Sequence, residues 1–69
     1  MTNEMLLRKK IEESGLKLCF IASKVGITYQ ALLNKMNNKS EFRAGEIQAL
    51  CDLLGIGPQD KEDIFFARV

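Results

Sequence analysis

The chain has 69 residues, 46% hydrophobic and 28% charged, an ordinary globular composition that leaves room for one domain over residues 1–69. Its longest apolar run, Leu18 to Ala22, is far short of the roughly 20 residues of a membrane span, and no secretion signal opens it, so a cytoplasmic protein without membrane contact is expected; Cys19 and Cys51, with no histidine and no CxxC pair, offer no metal site and read as reduced, semi-buried thiols. The net charge of +1 hides a polarity: residues 17–43 set Lys17, Lys24, Lys35, Lys39 and Arg43 against Glu41 alone, whereas residues 44–69 set Lys61 and Arg68 against Glu46, Asp52, Asp60, Glu62 and Asp63, a pattern suited to a polyanion on one face only.

Apolar spacing is helical throughout, and no stretch alternates long enough for a strand, so the fold class is all-α. Thr2 or Asn3 can cap a first helix that runs to about Ser14, with Leu7 and Ile11 inward and Gly15 as its stop. A second helix begins near Lys17 and ends before Gly26, with Leu18, Ile21, Ala22 and Val25 on one stripe. Gly26 fits a tight turn that needs positive φ, and Ile27 fills the gap beside it. Thr28 caps a third helix that turns Leu32 and Met36 inward and leaves Tyr29, Gln30, Leu33, Asn34 and Lys35 at least partly outside. Asn37, Asn38, Lys39 and Ser40 make a polar connector, and Phe42 opens a fourth helix built on Ile47, Leu50, Cys51 and Leu54. Gly55 ends it, with Ile56 placed for a Schellman contact; Pro58 then starts a short fifth helix carrying Ile64 and Phe65, with Asp60, Glu62 and Asp63 toward the positive end of its dipole.

Two helices joined by a glycine-containing turn have the layout of a helix-turn-helix, here residues 18–37. The segment Leu18-Cys-Phe-Ile-Ala-Ser-Lys-Val-Gly-Ile-Thr-Tyr-Gln-Ala-Leu-Leu-Asn-Lys-Met-Asn37 resembles the helix-turn-helix of Cro and lambda-repressor type transcription regulators, with Ala22 as the small contact residue, Gly26 as the turn glycine and Ile21, Val25, Ile27 and Leu32 as the apolar positions. The likeness extends over roughly residues 7–67, and Ile64-Phe65-Phe66-Ala67 resembles the tail of small prophage-encoded members. It implies a five-helix lambda-repressor-like domain that binds double-stranded DNA, probes the major groove with its third helix and regulates transcription, in the manner of a phage repressor. Leu18 departs from the pattern, since members often carry at that position a Gln that supports a phosphate contact. Cys19 and Phe20 stand where polar residues are common, and are expected to pack against Phe65 and Phe66 or to form a partner surface.

Independently of the resemblance, a helix that reads bases must expose side chains that donate or accept hydrogen bonds in the plane of a base edge, as Gln and Asn can to adenine or Lys to guanine, and Gln30, Asn34 and Lys35 are such residues. The resemblance places Tyr29, Gln30 and Asn34 toward bases, and Thr28, Asn38, Lys39 and Ser40 toward phosphates. Tyr29 can equally pack on the preceding helix. Lys17 and Arg43 lie at helix N-termini, where open backbone N–H groups already favour a phosphate. No nucleophile–base pair or carboxylate pair suggests an enzyme, and Asp60 and Asp63 read as helix-dipole partners; neither a cofactor nor a small-molecule substrate is implied. One reading helix covers few base pairs, so a homodimer, at least on DNA, is expected, with Ile56, Phe65, Phe66 and Val69 as its surface. The rival reading is a protein-interaction module, an anti-repressor or antitoxin-type partner, that keeps the fold and uses it on protein.

Overall fold

The computed structural model describes residues 1–67, and within them five helices follow one another: α1 (Glu4–Ser14), α2 (Leu18–Val25), α3 (Tyr29–Met36), α4 (Ala44–Leu54) and α5 (Pro58–Phe65). The all-α expectation holds. Asn3, not Thr2, caps α1, its Oδ1 accepting from the Leu6 N–H at 3.2 Å, and Thr28 caps α3 by accepting from the Ala31 N–H at 3.0 Å. Each cap satisfies one of the backbone donors that a helix start leaves open.

Turn chemistry sets the angle between α2 and α3. Gly26 has φ +89°, its N–H donates to Ser23 O, and the next N–H, that of Ile27, reaches back to Ala22 O at 3.0 Å, which together make a Schellman motif. A Cβ at Gly26 would meet nothing within 4 Å, so glycine is required by the left-handed backbone and not by crowding. The motif recurs at Gly55, where the Ile56 N–H donates to Cys51 O at 2.9 Å and the Ile56 side chain is buried, as its spacing predicts.

The core gathers one stripe from each helix. Leu7, Ile21, Leu32, Met36, Leu50 and Ile64 are fully buried, and α2 packs on both α3 and α4 while α1 lies across α4 and α5. Truncating one such leucine to alanine costs about 2–5 kcal/mol, a large part of the stability of any small domain. The fourth helix begins two residues later than its apolar pattern predicts. Phe42 lies in the connector before it, buried, with its ring edge-on to Phe65 at 5.5 Å between centroids. An extended residue can drop an aromatic ring into the core as a helical one can, so burial did not fix the helix boundary.

That pairing corrects the expected place of Cys19 and Phe20. Phe65 is occupied by Phe42, and α2 turns toward α3 and α4, so Cys19 and Phe20 both remain exposed, with Lys24 Nζ 5.4 Å from the Phe20 ring centre. The expected dimer surface changes too. Ile56 and Phe65 belong to the core, Phe66 is 52% exposed, and Val69 lies outside the described residues.

The chain ends are tied together. The Asn3 N–H donates to Ile64 O and the Ala67 N–H to Met1 O, so residues 1–3 run beside the end of α5 and Thr2 is buried. Lys10 and Asp60 form an ion pair at 3.1 Å that joins α1 to α5; it raises the Lys10 pKa through the hydrogen bond and the charge of Asp60. Asp60 is thus a cross-helix partner as well as a first-turn acid.

The two thiols differ. Cys51 is buried, and desolvation pushes its pKa up against the opposing pull of Lys61, which keeps it a protonated, unreactive core group; Cys19 is open to solvent. A thiol-specific reagent should therefore modify one cysteine in the native protein and two in denaturant, with mass mapping placing the native label on Cys19. Two native labels would contradict the burial of Cys51.

Candidate nucleic-acid interface

Helix α3 buries Leu32 and Met36 one turn apart, and this orientation turns Gln30, Leu33, Asn34 and Asn37 to the other side. Gln30 is exposed and Asn34 partly so, and Gln30 Nε2 donates to Asn34 Oδ1 at 3.1 Å. The two amides are therefore linked, and Gln30 Oε1 and Asn34 Nδ2 take no part in that bond. Asn37, exposed and seven residues after Gln30, continues the row; its spacing was the available signal, but assignment to the connector hid it. Tyr29 is 49% exposed, which leaves its ring at the surface near the start of α3 and not packed away under α2.

Lys35 is a correction. It lies on the flank of α3 next to α4, its side chain is 13% exposed, and its Nζ donates to Glu46 Oε1 at 2.8 Å and to Glu41 O at 3.1 Å. A base contact would need that ammonium at the surface with open donors. Glu46, 14% exposed, also accepts from the Arg43 N–H at 2.9 Å and so caps the start of α4. Desolvation pulls the Glu46 carboxyl up, but the Arg43 N–H, the Lys35 hydrogen bond and the charges of Lys35 and Arg43 outweigh it, and the net shift is below the usual carboxylate range. Such a pair adds little net stability, yet removing one member strands the other in a poorly hydrated place.

Asn38 has a structural use that its sequence position does not reveal. Its φ is +62°, its N–H donates to Lys35 O, and the Lys39 N–H donates to Asn34 O at 2.8 Å, so α3 ends in the same motif as α2 with asparagine in place of glycine. Asparagine adds what glycine lacks: Oδ1 accepts from the Thr2 N–H and Nδ2 donates to Thr2 O, both at 2.9 Å. The side chain expected at a phosphate thus clasps the N-terminal segment.

The remaining phosphate candidates stand at the starts of α2, α3 and α4 and in the connector after α3. Thr28, Lys39, Ser40 and Arg43 are exposed, as is Lys17 at the N-cap of α2, and Lys17, Lys39 and Arg43 make no ion pair among the described residues. Thr28 Oγ1 is already engaged by the Ala31 N–H. Arg43 meets Glu46 at the start of α4 through its backbone N–H, and its side chain is exposed. Leu18 packs partly buried against the core, consistent with an apolar residue where relatives of the pattern carry Gln. The surface around α3 is thus a polar amide row flanked by exposed cations, with Lys35 neutralised behind it.

A family model for the Cro/C1-type HTH DNA-binding domain matches residues 5–60. No curated protein and no solved structure matches the chain.

Two measurements check the polar contacts behind this surface. Asn38→Gly keeps the left-handed backbone and loses the Thr2 clasp, whereas Asn38→Ala loses the clasp and strains the backbone by a further ~1 kcal/mol, so urea unfolding should rank wild type above glycine above alanine. For Glu46, the folded pKa lies below the unfolded value of about 4.3, so the unfolded chain holds more protons between the two values. Its contribution is full above about pH 4.3 and is lost as pH falls through the folded value. Glu46→Gln should therefore lose stability near neutrality and decline less steeply than wild type on acidification, as followed by unfolding midpoints.

Proposed function

The chain belongs to the Cro/C1-type helix-turn-helix DNA-binding family, and we propose that it is a regulator that reads an operator with α3 in the major groove and acts by occupancy, without chemistry of its own. DNA binding and transcriptional regulation come with the family; the operator contacts, the phage-repressor role and the cytoplasmic setting are this reading. The observation that carries it is the outward amide pair of Gln30 and Asn34, coupled at 3.1 Å and bordered by exposed Lys39 and Arg43. Gln and Asn amides match the N6/N7 edge of adenine, and the cations match the backbone on either side. Tyr29 at the start of the helix is positioned to meet a base or sugar, and Lys17 and Thr28 a phosphate.

Double-stranded DNA is the partner, and two copies on a two-fold site with half-sites about one helical turn apart would supply the specificity that one short helix lacks. Of the residues expected at the contact between copies, Ile56 and Phe65 belong to the core and Phe66 is exposed at the end of α5. Among the described residues no helix is long and apolar enough to cross a membrane. A protein-directed use of the same fold is favoured by one observation, the exposed Phe20 with Lys24 over its ring on α2.

Salt titrations on a selected duplex and on random duplex test the reading. Gln30→Ala or Asn34→Ala should weaken specific binding by about 1–3 kcal/mol and leave random binding and its salt slope unchanged. The double variant should cost less than the sum, because the two amides bond to each other. Lys39→Ala or Arg43→Ala should weaken both duplexes alike and lower the salt slope by about one unit. Equal loss of specific and random binding in the amide variants would refute the base assignment, and a wild type without salt-dependent DNA binding would favour the protein-directed alternative.

A further inference from the structure

One carboxylate gathers three parts of the interface. Glu46 Oε1 accepts from Lys35 Nζ at 2.8 Å and from the Arg43 N–H at 2.9 Å, and the same Lys35 ammonium donates to Glu41 O at 3.1 Å. The last turn of α3, the backbone of the connector and the first turn of α4 are thereby joined at one point. Both side chains are nearly out of solvent, at 13% and 14% exposure, so water does not readily take their places. In the sequence between Lys35 and Glu46 lie Lys39, Ser40 and Arg43, all exposed.

Resting on the reading that α3 faces bases, we propose that Lys35 and Glu46 are positioning residues for DNA recognition, which touch no part of the DNA and hold the phosphate-facing connector at a fixed distance from Gln30 and Asn34. Base and phosphate contacts reinforce each other only when their spacing matches that of the duplex. The connector is polar, and its front end is held by the Asn38 clasp on Thr2; the Lys35–Glu46 pair holds its rear. Removing the rear anchor lets Lys39 and Arg43 still find phosphates on any sequence, but no longer in step with the amides. Specific binding then falls while sequence-independent binding persists.

The test uses the whole chain as wild type, Lys35→Met, Glu46→Ala, Glu46→Gln and the double variant Lys35→Met/Glu46→Gln, each corrected for its folded fraction by circular dichroism. The double variant strands no charge and so keeps the test open should a single variant unfold. Affinities for a selected duplex and for random duplex are measured over a range of salt. Lys35→Met and Glu46→Ala should lose about tenfold on the selected duplex with an unchanged salt slope on random duplex. Glu46→Gln, which keeps an acceptor for the Arg43 N–H, should recover part of that loss, and the double variant should be no worse than Lys35→Met alone. A salt slope about one unit lower in Lys35→Met would make Lys35 a phosphate contact, and relaxed preference at a single base pair would make it a base contact; either overturns the proposal. Variants that bind like wild type at equal folded fraction, with wild type binding DNA, overturn this inference alone, whereas a wild type that binds no duplex overturns the reading of α3 and this inference with it.

Discussion

Each of the first four helices ends on a residue in the left-handed region: Gly15, Gly26, Asn38 and Gly55, with φ between +62° and +89°. That constraint determines the rest of the structure, because the reversal at each stop sets where the next helix can pack. A side chain other than Gly or Asn meets a cost of about 1–2 kcal/mol there, which a chain with so small a core has little capacity to absorb. Three of the four stops are bare glycines that serve the backbone. The fourth, Asn38, combines the backbone geometry with a side-chain clasp on Thr2, and it stands where the polar face of α3 gives way to the connector.

The surface of α3 follows from what lies beneath it. Leu32 and Met36 are fully buried, and their anchorage leaves the amide side chains on the opposite side no option but solvent or a ligand. Charge is sorted in the same way. Lys35 turns back to Glu46 and Glu41, whereas Lys17, Lys24, Lys39 and Arg43 stay exposed, so the positive surplus of the middle segment lies at the surface. Helices α4 and α5 carry the exposed acids Asp52, Glu62 and Asp63, with Asp60 engaged by Lys10.

The terminal segments act as a clamp around this unit. Met1 to Asn3 lie beside the end of α5 through two backbone hydrogen bonds, and Asn38 reaches Thr2 from the end of α3. The matched family span, residues 5–60, contains the helix-turn-helix and α4 but stops short of Ile64, Phe65 and the first residues. Phe65 nevertheless closes the core against Phe42 at the exit of the connector. The pieces outside the shared span therefore brace the segment that holds the exposed cations.

Helix number, core stripes and the stops at Gly15, Gly26 and Gly55 were legible from periodicity and turn chemistry, because these are local properties: spacing of three and four sets the buried face, and glycine marks positive φ. The outward amides of α3 were legible for the same reason, since fixing the face of Leu32 and Met36 fixes its opposite. Partners distant in sequence were not. Lys35 and Lys39 are both lysines near the end of one helix, and nothing local tells that eleven residues on, Glu46 waits for one of them at 2.8 Å. Nor does any pattern show that Asn38 would find Thr2 across 36 residues, or that Phe65 would take Phe42 and leave Phe20 in solvent. Those pairings depend on which surfaces the packed helices bring within hydrogen-bond or van der Waals reach, and that reach exists only after the core has closed.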